Sequence, residues 1–122
     1  MNKNALIFVA GHNGLVGSAI VRKLEDVGYT NIVTKNRSEL DLMDQMQVRK
    51  FFKTQRPQYV INAAAKVGGI KANMTFPAEF LYENLQIQNN LIWSAKENNI
   101  TKLLFISSAC IYPIDADQPM AE

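Results

Sequence analysis

The stretch that most constrains the fold is residues 5–21, where an apolar run leads into Gly11, Gly14 and Gly17 and then into an amphipathic segment. The run predicts a buried strand, the glycines a tight turn, and residues 18–28 a helix that starts at the turn. Free backbone N–H groups and the helix dipole both favour an anion there. This arrangement predicts a phosphate-binding loop. An ordinary strand-turn-helix is the alternative, because the spacing G-x-x-G-x-x-G differs from the more familiar G-x-G-x-x-G.

Each glycine has its own expected role in this loop. Gly11 permits the sharp turn, Gly14 lets the backbone approach the phosphates, and Gly17 lets the helix pack closely on the strand.

The remainder of the chain alternates strands and helices, which predicts a doubly wound parallel sheet with right-handed crossovers. Apolar runs mark the strands, and apolar residues at helical spacing mark the helices. The first strand covers residues 6–10, and the later elements are predicted as strands at 31–34, 59–61 and 102–107, helices at 45–55 and 78–98, and a loop at 66–76.

Length and composition are those of one globular domain. The chain has 122 residues, of which 48% are hydrophobic and 20% charged, with a net charge of +2. Scattered basic residues favour neither a nucleic-acid surface nor a membrane surface as partner. No apolar run approaches the ~20 residues of a transmembrane helix. Cys110 is the only cysteine and cannot form an internal disulfide, so we expect a reducing, cytoplasmic setting.

The residues after the second strand bear on the choice of cofactor. In a dinucleotide-binding fold an acid at this place hydrogen-bonds the ribose 2′-hydroxyl of NAD, whereas a base accommodates the 2′-phosphate of NADP. The chain has Lys-Asn-Arg at 35–37 and no acid before Glu39. Arg37 can bind a phosphate with two parallel hydrogen bonds. We therefore predict NADP rather than NAD, with a solvated basic loop as the alternative. Asp41 and Leu42 follow and could flank an adenine ring, and Asp44 is a predicted N-cap.

The ends of the third and fourth strands offer further candidates. Small residues at 62–65 would let a cofactor lie close to the backbone. The Gly-containing loop at 66–76 is a candidate binding segment, with a plain surface connection as the alternative. Ser107, Ser108 and Cys110 follow the fourth strand, at the edge where ligands sit in open α/β folds. Alternatively, Cys110 is simply a small buried residue.

The long helix at 78–98 is apolar on more than one side. Pro77 is placed to open it. Leu81, Leu85 and Ile92 belong to one stripe, while Tyr82 and Trp93 lie elsewhere on the helix. Such a helix is either deeply buried or pairs with a partner, so the sequence leaves extra core and a dimer face as alternatives.

Several motifs together resemble the extended short-chain dehydrogenase/reductase family. They are the glycine pattern, Asn-Ala-Ala at 62–64 and Ser-Ser at 107–108. Three stretches narrow the resemblance to the members that convert GDP-4-keto-6-deoxy-D-mannose to GDP-L-fucose. These are G-H-N-G-L-V-G-S-A-I at 11–20, A-A-A-K-V-G-G-I at 63–70 and S-A-C-I-Y-P at 108–113. The resemblance covers the whole chain, including Q-P-M-A-E at 118–122.

The resemblance implies a Rossmann-like NADP-binding domain over residues 1–122, a GDP-sugar substrate and a homodimer formed through helix 78–98. It also implies epimerisation at C3 and C5 by a cysteine–histidine pair, followed by reduction at C4 with NADPH. Cys110 matches the cysteine base, and Ser108 matches a serine that polarises the keto oxygen. The residues implied in cofactor binding are Gly11, His12, Asn13, Gly14, Leu15, Val16, Gly17, Lys35, Asn36, Arg37, Asp41, Leu42, Ala63, Ala64, Ala65, Lys66 and Ser107.

One departure from the family pattern limits these expectations. The family uses a Tyr-x-x-x-Lys pair, and none of the four tyrosines here is followed by lysine at that spacing. The only histidine, His12, lies in the glycine loop and does not match the catalytic histidine. We therefore expect the N-terminal part of such an enzyme, without its later strands and substrate lobe, and inactive by itself. The alternatives are a non-catalytic cofactor-binding or interaction module, or another nucleotide-sugar epimerase or dehydratase of the family.

Overall fold

The computed structural model of the chain describes residues 2–108, 111–113, 115–117 and 119. Within them the strands are β1 (Ile7–Ala10), β2 (Ile32–Thr34), β3 (Tyr59–Asn62) and β4 (Lys102–Phe105). The helices are α1 (Leu15–Asp26), α2 (Gln45–Gln55), α3 (Ile70–Thr75) and α4 (Pro77–Glu97).

The strands form one parallel sheet in the order β2-β1-β3-β4. Phe8 of β1 lies opposite Val33 of β2 on one side and Val60 of β3 on the other. The chain thus leaves β1 toward one edge and later returns to build β3 and β4 toward the other edge. The predicted α/β fold with a doubly wound parallel sheet is confirmed. Ligands in such folds bind where the strand order reverses, beyond the carboxyl ends of the strands.

Successive side chains of β1 point to opposite faces of the sheet, and each face has its own core. Phe8 packs with Phe52 of α2 and Leu91 of α4 on one face. Ile7 and Val9 pack with Leu24 of α1 on the other face. Helices cover both faces of β1, which explains why its sequence is apolar throughout rather than alternating.

Three elements differ from the sequence prediction by more than one residue, and one of them is β4, which ends at Phe105 rather than at residue 107. α1 begins at Leu15, inside the glycine motif, rather than at residue 18, so Gly17 belongs to the helix. The predicted loop at 66–76 is wrong in part, because α3 occupies its middle. None of the α3 residues is buried, so this short helix leaves no apolar periodicity in the sequence from which it could be predicted.

The helix starts at α2 and α4 follow the sequence signals. The Asp44 carboxylate accepts hydrogen bonds from the backbone N–H groups of Met46 at 2.9 Å and Gln47 at 3.0 Å, which confirms the predicted N-cap. The bonds from Gln47 are the main cause of a lowered Asp44 pKa. The cap is therefore in place at neutral pH and is lost as the pH falls through that lowered pKa. Pro77 occupies the first turn of α4.

The edge of the sheet at β4 leaves apolar side chains accessible. Leu104 is 47% exposed and Phe105 40% exposed. Among the described helices, none combines the length and apolar character needed to cross a bilayer.

Candidate functional site

A cleft of about 600 Å³ lies at the carboxyl ends of β1, β2 and β3. Most of its walls come from three separated segments: residues 11–16 after β1, residues 35–37 and 40–43 after β2, and residues 63–67 after β3. The parallel sheet brings these segments together because all three strands end at the same edge. The structure thereby unites nearly all of the predicted cofactor-binding residues in one cleft.

The glycine loop is packed tightly against the end of β3. Gly11 has a φ of +79°, which L side chains rarely adopt. A Cβ on Gly11 would lie 2.6 Å from the backbone nitrogen of Ala64 and 2.7 Å from the carbonyl carbon of Ala63. The loop therefore needs glycine at this position for both its conformation and its close approach. The predicted sharp turn at Gly11 is confirmed.

Gly17 seats α1 on the same loop. It is buried in the first turns of the helix, and a Cβ there would lie 2.1 Å from the carbonyl oxygen of Gly11. The close approach predicted for Gly17 is present, although its contact is with the turn after β1 rather than with the strand itself. Gly17 does not line the cleft but holds the helix terminus in place behind it.

Gly14 stands on the open side of the loop as the N-cap of α1. A Cβ there would meet only the Gly11 carbonyl oxygen, at 3.4 Å. The first N–H groups of a helix have no acceptor within the helix. Neither a capping side chain nor an acidic residue of the first turn competes for them. The loop can therefore donate hydrogen bonds to phosphate oxygens at the start of α1, where the helix dipole also favours negative charge.

The acid nearest to the end of β2 is occupied within its own loop. One oxygen of Glu39 lies 3.0 Å from the ammonium group of Lys35, and the other accepts a hydrogen bond from the Asn36 backbone N–H at 3.0 Å. These bonds, led by the one from Asn36, lower the pKa of the Glu39 carboxyl. Glu39 does not line the cleft. Glu39 therefore stabilises the loop and is not placed to accept a hydrogen bond from a ribose hydroxyl.

Arg37, unlike Glu39, makes only weak contacts within this loop. Its side chain is 73% exposed at the mouth of the cleft. Its Nε lies 4.0 Å from an Asp41 carboxylate oxygen, and its Nη2 lies 3.7 Å from the Met43 sulfur. Both contacts are long and therefore weak, so the guanidinium can turn toward an anionic ligand without losing a strong interaction.

The segment after β3 is fixed by α4. Asn84 grips the backbone of Lys66 from both sides: its Oδ1 accepts from the Lys66 N–H at 2.8 Å, and its Nδ2 donates to the Lys66 carbonyl at 3.0 Å. The Lys66 ammonium pairs with Glu83 and lies 5.3 Å from the centre of the Phe80 ring. These contacts hold residues 63–67 as a wall of the cleft.

Of the residues predicted after β4, the described Ser107 and Ser108 do not line this cleft. Ser107 and Ser108 are exposed and follow β4 at the carboxyl edge of the sheet, beside Asn62, whose carbonyl accepts from the Ile106 N–H at 3.0 Å. Ser107 was predicted to contact the cofactor but does not line the cleft. Cys110 lies outside the described residues.

Sequence reasoning missed the contribution of α4 to the cleft. Glu83 and Ile87 line it and stand one turn apart on the helix. Their spacing shows that they share a face, but no local pattern indicates that this face meets residue 66. Leu40 and Met43 were also missed. In the described part of the chain no group of three or more His, Cys, Asp or Glu side chains could hold a metal ion.

Comparisons with known proteins agree with this geometry. Residues 7–122 match the NAD dependent epimerase/dehydratase family. The chain is 60% identical over 121 residues to GDP-L-fucose synthase 1 of Arabidopsis thaliana, which covers 99% of this chain and 38% of that protein. It is 53% identical over 116 residues to GDP-L-fucose synthase of Escherichia coli K12, which covers 95% of this chain and 36% of that protein.

A solved structure with the same fold comes from Campylobacter jejuni. It is MlghC, a GDP-mannoheptose C4 reductase with NADP bound. The TM-score is 0.92 and the identity 45%, over 99% of this chain and 36% of that one. The chain therefore spans just over a third of the length of the relatives that it matches.

Proposed function

The chain belongs to the NAD dependent epimerase/dehydratase family, and on that basis we propose that it is the NADP(H)-binding part of an enzyme that epimerises and reduces a GDP-linked 4-keto sugar. The observation that carries the cofactor assignment is that Arg37 is exposed at the mouth of the cleft while both carboxylate oxygens of Glu39 are bonded within their own loop. Titration calorimetry with NADPH tests it, and a chain that binds no nicotinamide nucleotide would remove the assignment.

Four parts of the cleft suit a dinucleotide. Its volume lies within the range of ordinary cofactor sites. The start of α1 offers backbone N–H groups for the pyrophosphate, and Leu42 offers an apolar surface for the adenine. Arg37 offers a fork of N–H donors for a 2′-phosphate. Ala63, Ala64 and Ala65 leave room for the rest of the cofactor beside the backbone.

NADP is favoured over NAD by charge at the ribose position. NAD binding of this type uses a carboxylate that accepts from the 2′-hydroxyl. Glu39 has both oxygens bonded within its own loop, and Asp41 accepts from the Met43 N–H at 3.0 Å. A 2′-phosphate would meet Arg37 without displacing any of these three bonds. The NADP bound to MlghC supports the same choice.

The substrate assignment rests on the relatives and on the carboxyl edge of the sheet. Both curated relatives are GDP-L-fucose synthases. We place the keto sugar beside Ser108, whose hydroxyl would donate a hydrogen bond to the keto oxygen. The Cys110 thiolate would remove the proton from the carbon next to the carbonyl, since a thiolate and not a thiol is the base. Bound NADPH supplies the hydride for the reduction at C4.

We expect the 122-residue chain alone to show no turnover of a GDP-4-keto-6-deoxy sugar. Its sequence contains no Tyr-x-x-x-Lys pair, which is the pair that the family uses to donate the final proton. The measurement is NADPH oxidation followed at 25 °C with the keto sugar in excess, with a full-length relative as positive control. Turnover by this chain would show that the proton comes from another group.

A GDP-sugar C4 reductase that does not epimerise its substrate is the second candidate, because MlghC is described as a GDP-mannoheptose C4 reductase. Solvent deuterium separates the two functions in the whole enzyme. Epimerisation exchanges the protons at C3 and C5 of the sugar with solvent, whereas reduction at C4 alone leaves them in place.

We also propose a homodimer in which α4 packs against its symmetry mate. Its exposed apolar side chains include Leu81 and Tyr82, each 63% exposed, and Leu85, Ile92 and Trp93, between 44% and 47% exposed. Exposed apolar side chains in such number on one helix are typical of a contact surface. Light scattering is expected to give twice the mass of the chain. A monomeric mass would show that α4 alone does not suffice.

A reducing compartment such as the cytoplasm suits the proposal, because its base is an unpaired cysteine.

A further inference from the structure

We propose that Asn90, on α4, is a positioning residue that holds residues 40–43 as the adenosine-binding wall of the cleft. The proposal rests on the NADP(H) function given above. Asn90 is 3% exposed. Its amide nitrogen donates to the Leu42 carbonyl at 2.9 Å and to the Met43 carbonyl at 3.1 Å. A buried polar side chain thus donates both of these hydrogen bonds to the backbone of residues 42–43.

The Asn90 amide is fully used by this arrangement. A side-chain amide carries two donor hydrogens and one acceptor oxygen. The two hydrogens go to the carbonyls of Leu42 and Met43, and the oxygen accepts from the Gln86 side chain at 3.3 Å. Replacing the amide by a carboxylate removes both donors and places a negative charge against two carbonyl oxygens.

Asn90 differs from the other side chains that bond to this segment. The side-chain bonds described for residues 35–47 otherwise join positions two to six apart, such as Asp41 with Met43 and Asp44 with Gln47. Such bonds shape the segment but move with it. Asn90 is 47 and 48 positions away and sits on a helix packed against α2 and the sheet. Leu40 also anchors the segment in the core, through apolar contact that has no direction.

The position of Met43 affects the position of Arg37, the side chain proposed to bind the 2′-phosphate. The Met43 sulfur lies 3.7 Å from the Arg37 guanidinium, and the Met43 N–H donates to Asp41, the weak ion partner of Arg37. A shift of residues 42–43 would therefore move both the apolar surface offered to adenine and the cation offered to the 2′-phosphate.

The test uses the full chain with adenosine 2′,5′-bisphosphate, which contains only the adenosine end of NADP. Asn90→Asp is expected to weaken its binding by about tenfold or more. Asn89→Asp is the matched control, because Asn89 is exposed on the same helix and the change adds the same charge. We expect that control to stay within about twofold of the wild type. Equal affinities of the two variants would overturn the proposal.

Two further measurements guard against a merely structural effect. Leu24→Ala destabilises the core on the opposite face of the sheet without touching residues 40–43, and its affinity is expected to match the wild type while it remains folded. If Asn90→Asp does not fold, Asn90→Ser replaces it, since a serine hydroxyl is too short to reach both carbonyls. A loss of affinity shared by Leu24→Ala would contradict the positioning role.

Hydrogen exchange on the nucleotide-free chain tests the positioning role of Asn90 independently of the cofactor. Amides of residues 40–44 are expected to exchange faster in the Asn90 variant than in wild type or Asn89→Asp. Unchanged exchange there would refute the positioning role even if affinity fell. If the wild type binds no nucleotide, the proposed function fails, while the exchange result still supports or overturns the role of Asn90.

Discussion

Gly17→Ala is expected to lower the free energy of unfolding by about 3 kcal/mol. The added Cβ would lie 2.1 Å from the Gly11 carbonyl oxygen and 2.7 Å from the Gly11 carbonyl carbon. Both are backbone atoms that cannot rotate away, so α1 has to move off the loop. Alanine in a helix interior would otherwise stabilise by about 1 kcal/mol relative to glycine. The steric term is the larger, so the sign of the effect is destabilising.

Urea denaturation measures this effect, with Gly28→Ala as the matched control. Gly28 has a φ of +85° and no atom within 4 Å of an added Cβ. That substitution costs only the backbone strain of a left-handed alanine, about 1 kcal/mol. The difference between the two variants therefore isolates the clash at Gly11. A Gly17→Ala chain as stable as the wild type would mean that α1 is not seated on the glycine loop.

Arg37→Met is expected to weaken NADPH binding by about 10- to 100-fold and to leave NADH binding within about twofold. A hydrogen-bonded charge pair contributes about 1.5–3 kcal/mol, which corresponds to that range of affinity. Arg37 is 73% exposed, so the effect should lie toward the lower end and should shrink as salt is added. Methionine is similar in length to the apolar stem of the arginine side chain and lacks the guanidinium. The loss then reports on the guanidinium.

Lys35→Met is the control for net charge. It removes one positive charge from the same loop, but the Lys35 ammonium is already paired with Glu39 at 3.0 Å. We expect a smaller loss of NADPH affinity than for Arg37→Met. Equal losses would show that the 2′-phosphate responds to total charge rather than to Arg37. An equal loss for NADH would show that Arg37 does not contact the 2′-phosphate at all.

The parts of the site that follow a strand directly were predictable from sequence. The glycine loop after β1 and the Lys-Asn-Arg segment after β2 lie where local patterns place them, since a parallel sheet fixes where each strand ends. The role of Glu39 could be predicted only in part. Its position in the sequence showed that no acid comes earlier, whereas its bonds to Lys35 and Asn36 emerged from the structure.

The parts contributed by α4 could not be predicted in the same way. Asn84 and Asn90 are ordinary polar residues within a mixed helix, and their partners at Lys66 and Leu42 are 18 and 48 positions away. No local pattern encodes such a pairing. Helix α3 was missed because it buries no side chain. The role of Cys110 stays a prediction.

Calorimetric titration of the wild-type chain with NADPH and with NADH under the same conditions measures directly which dinucleotide the cleft prefers. The exposed Arg37 and the occupied Glu39 predict that NADPH binds more tightly, by about tenfold or more. Equal affinities, or a preference for NADH, would contradict the central claim that the cleft is built for a 2′-phosphorylated dinucleotide.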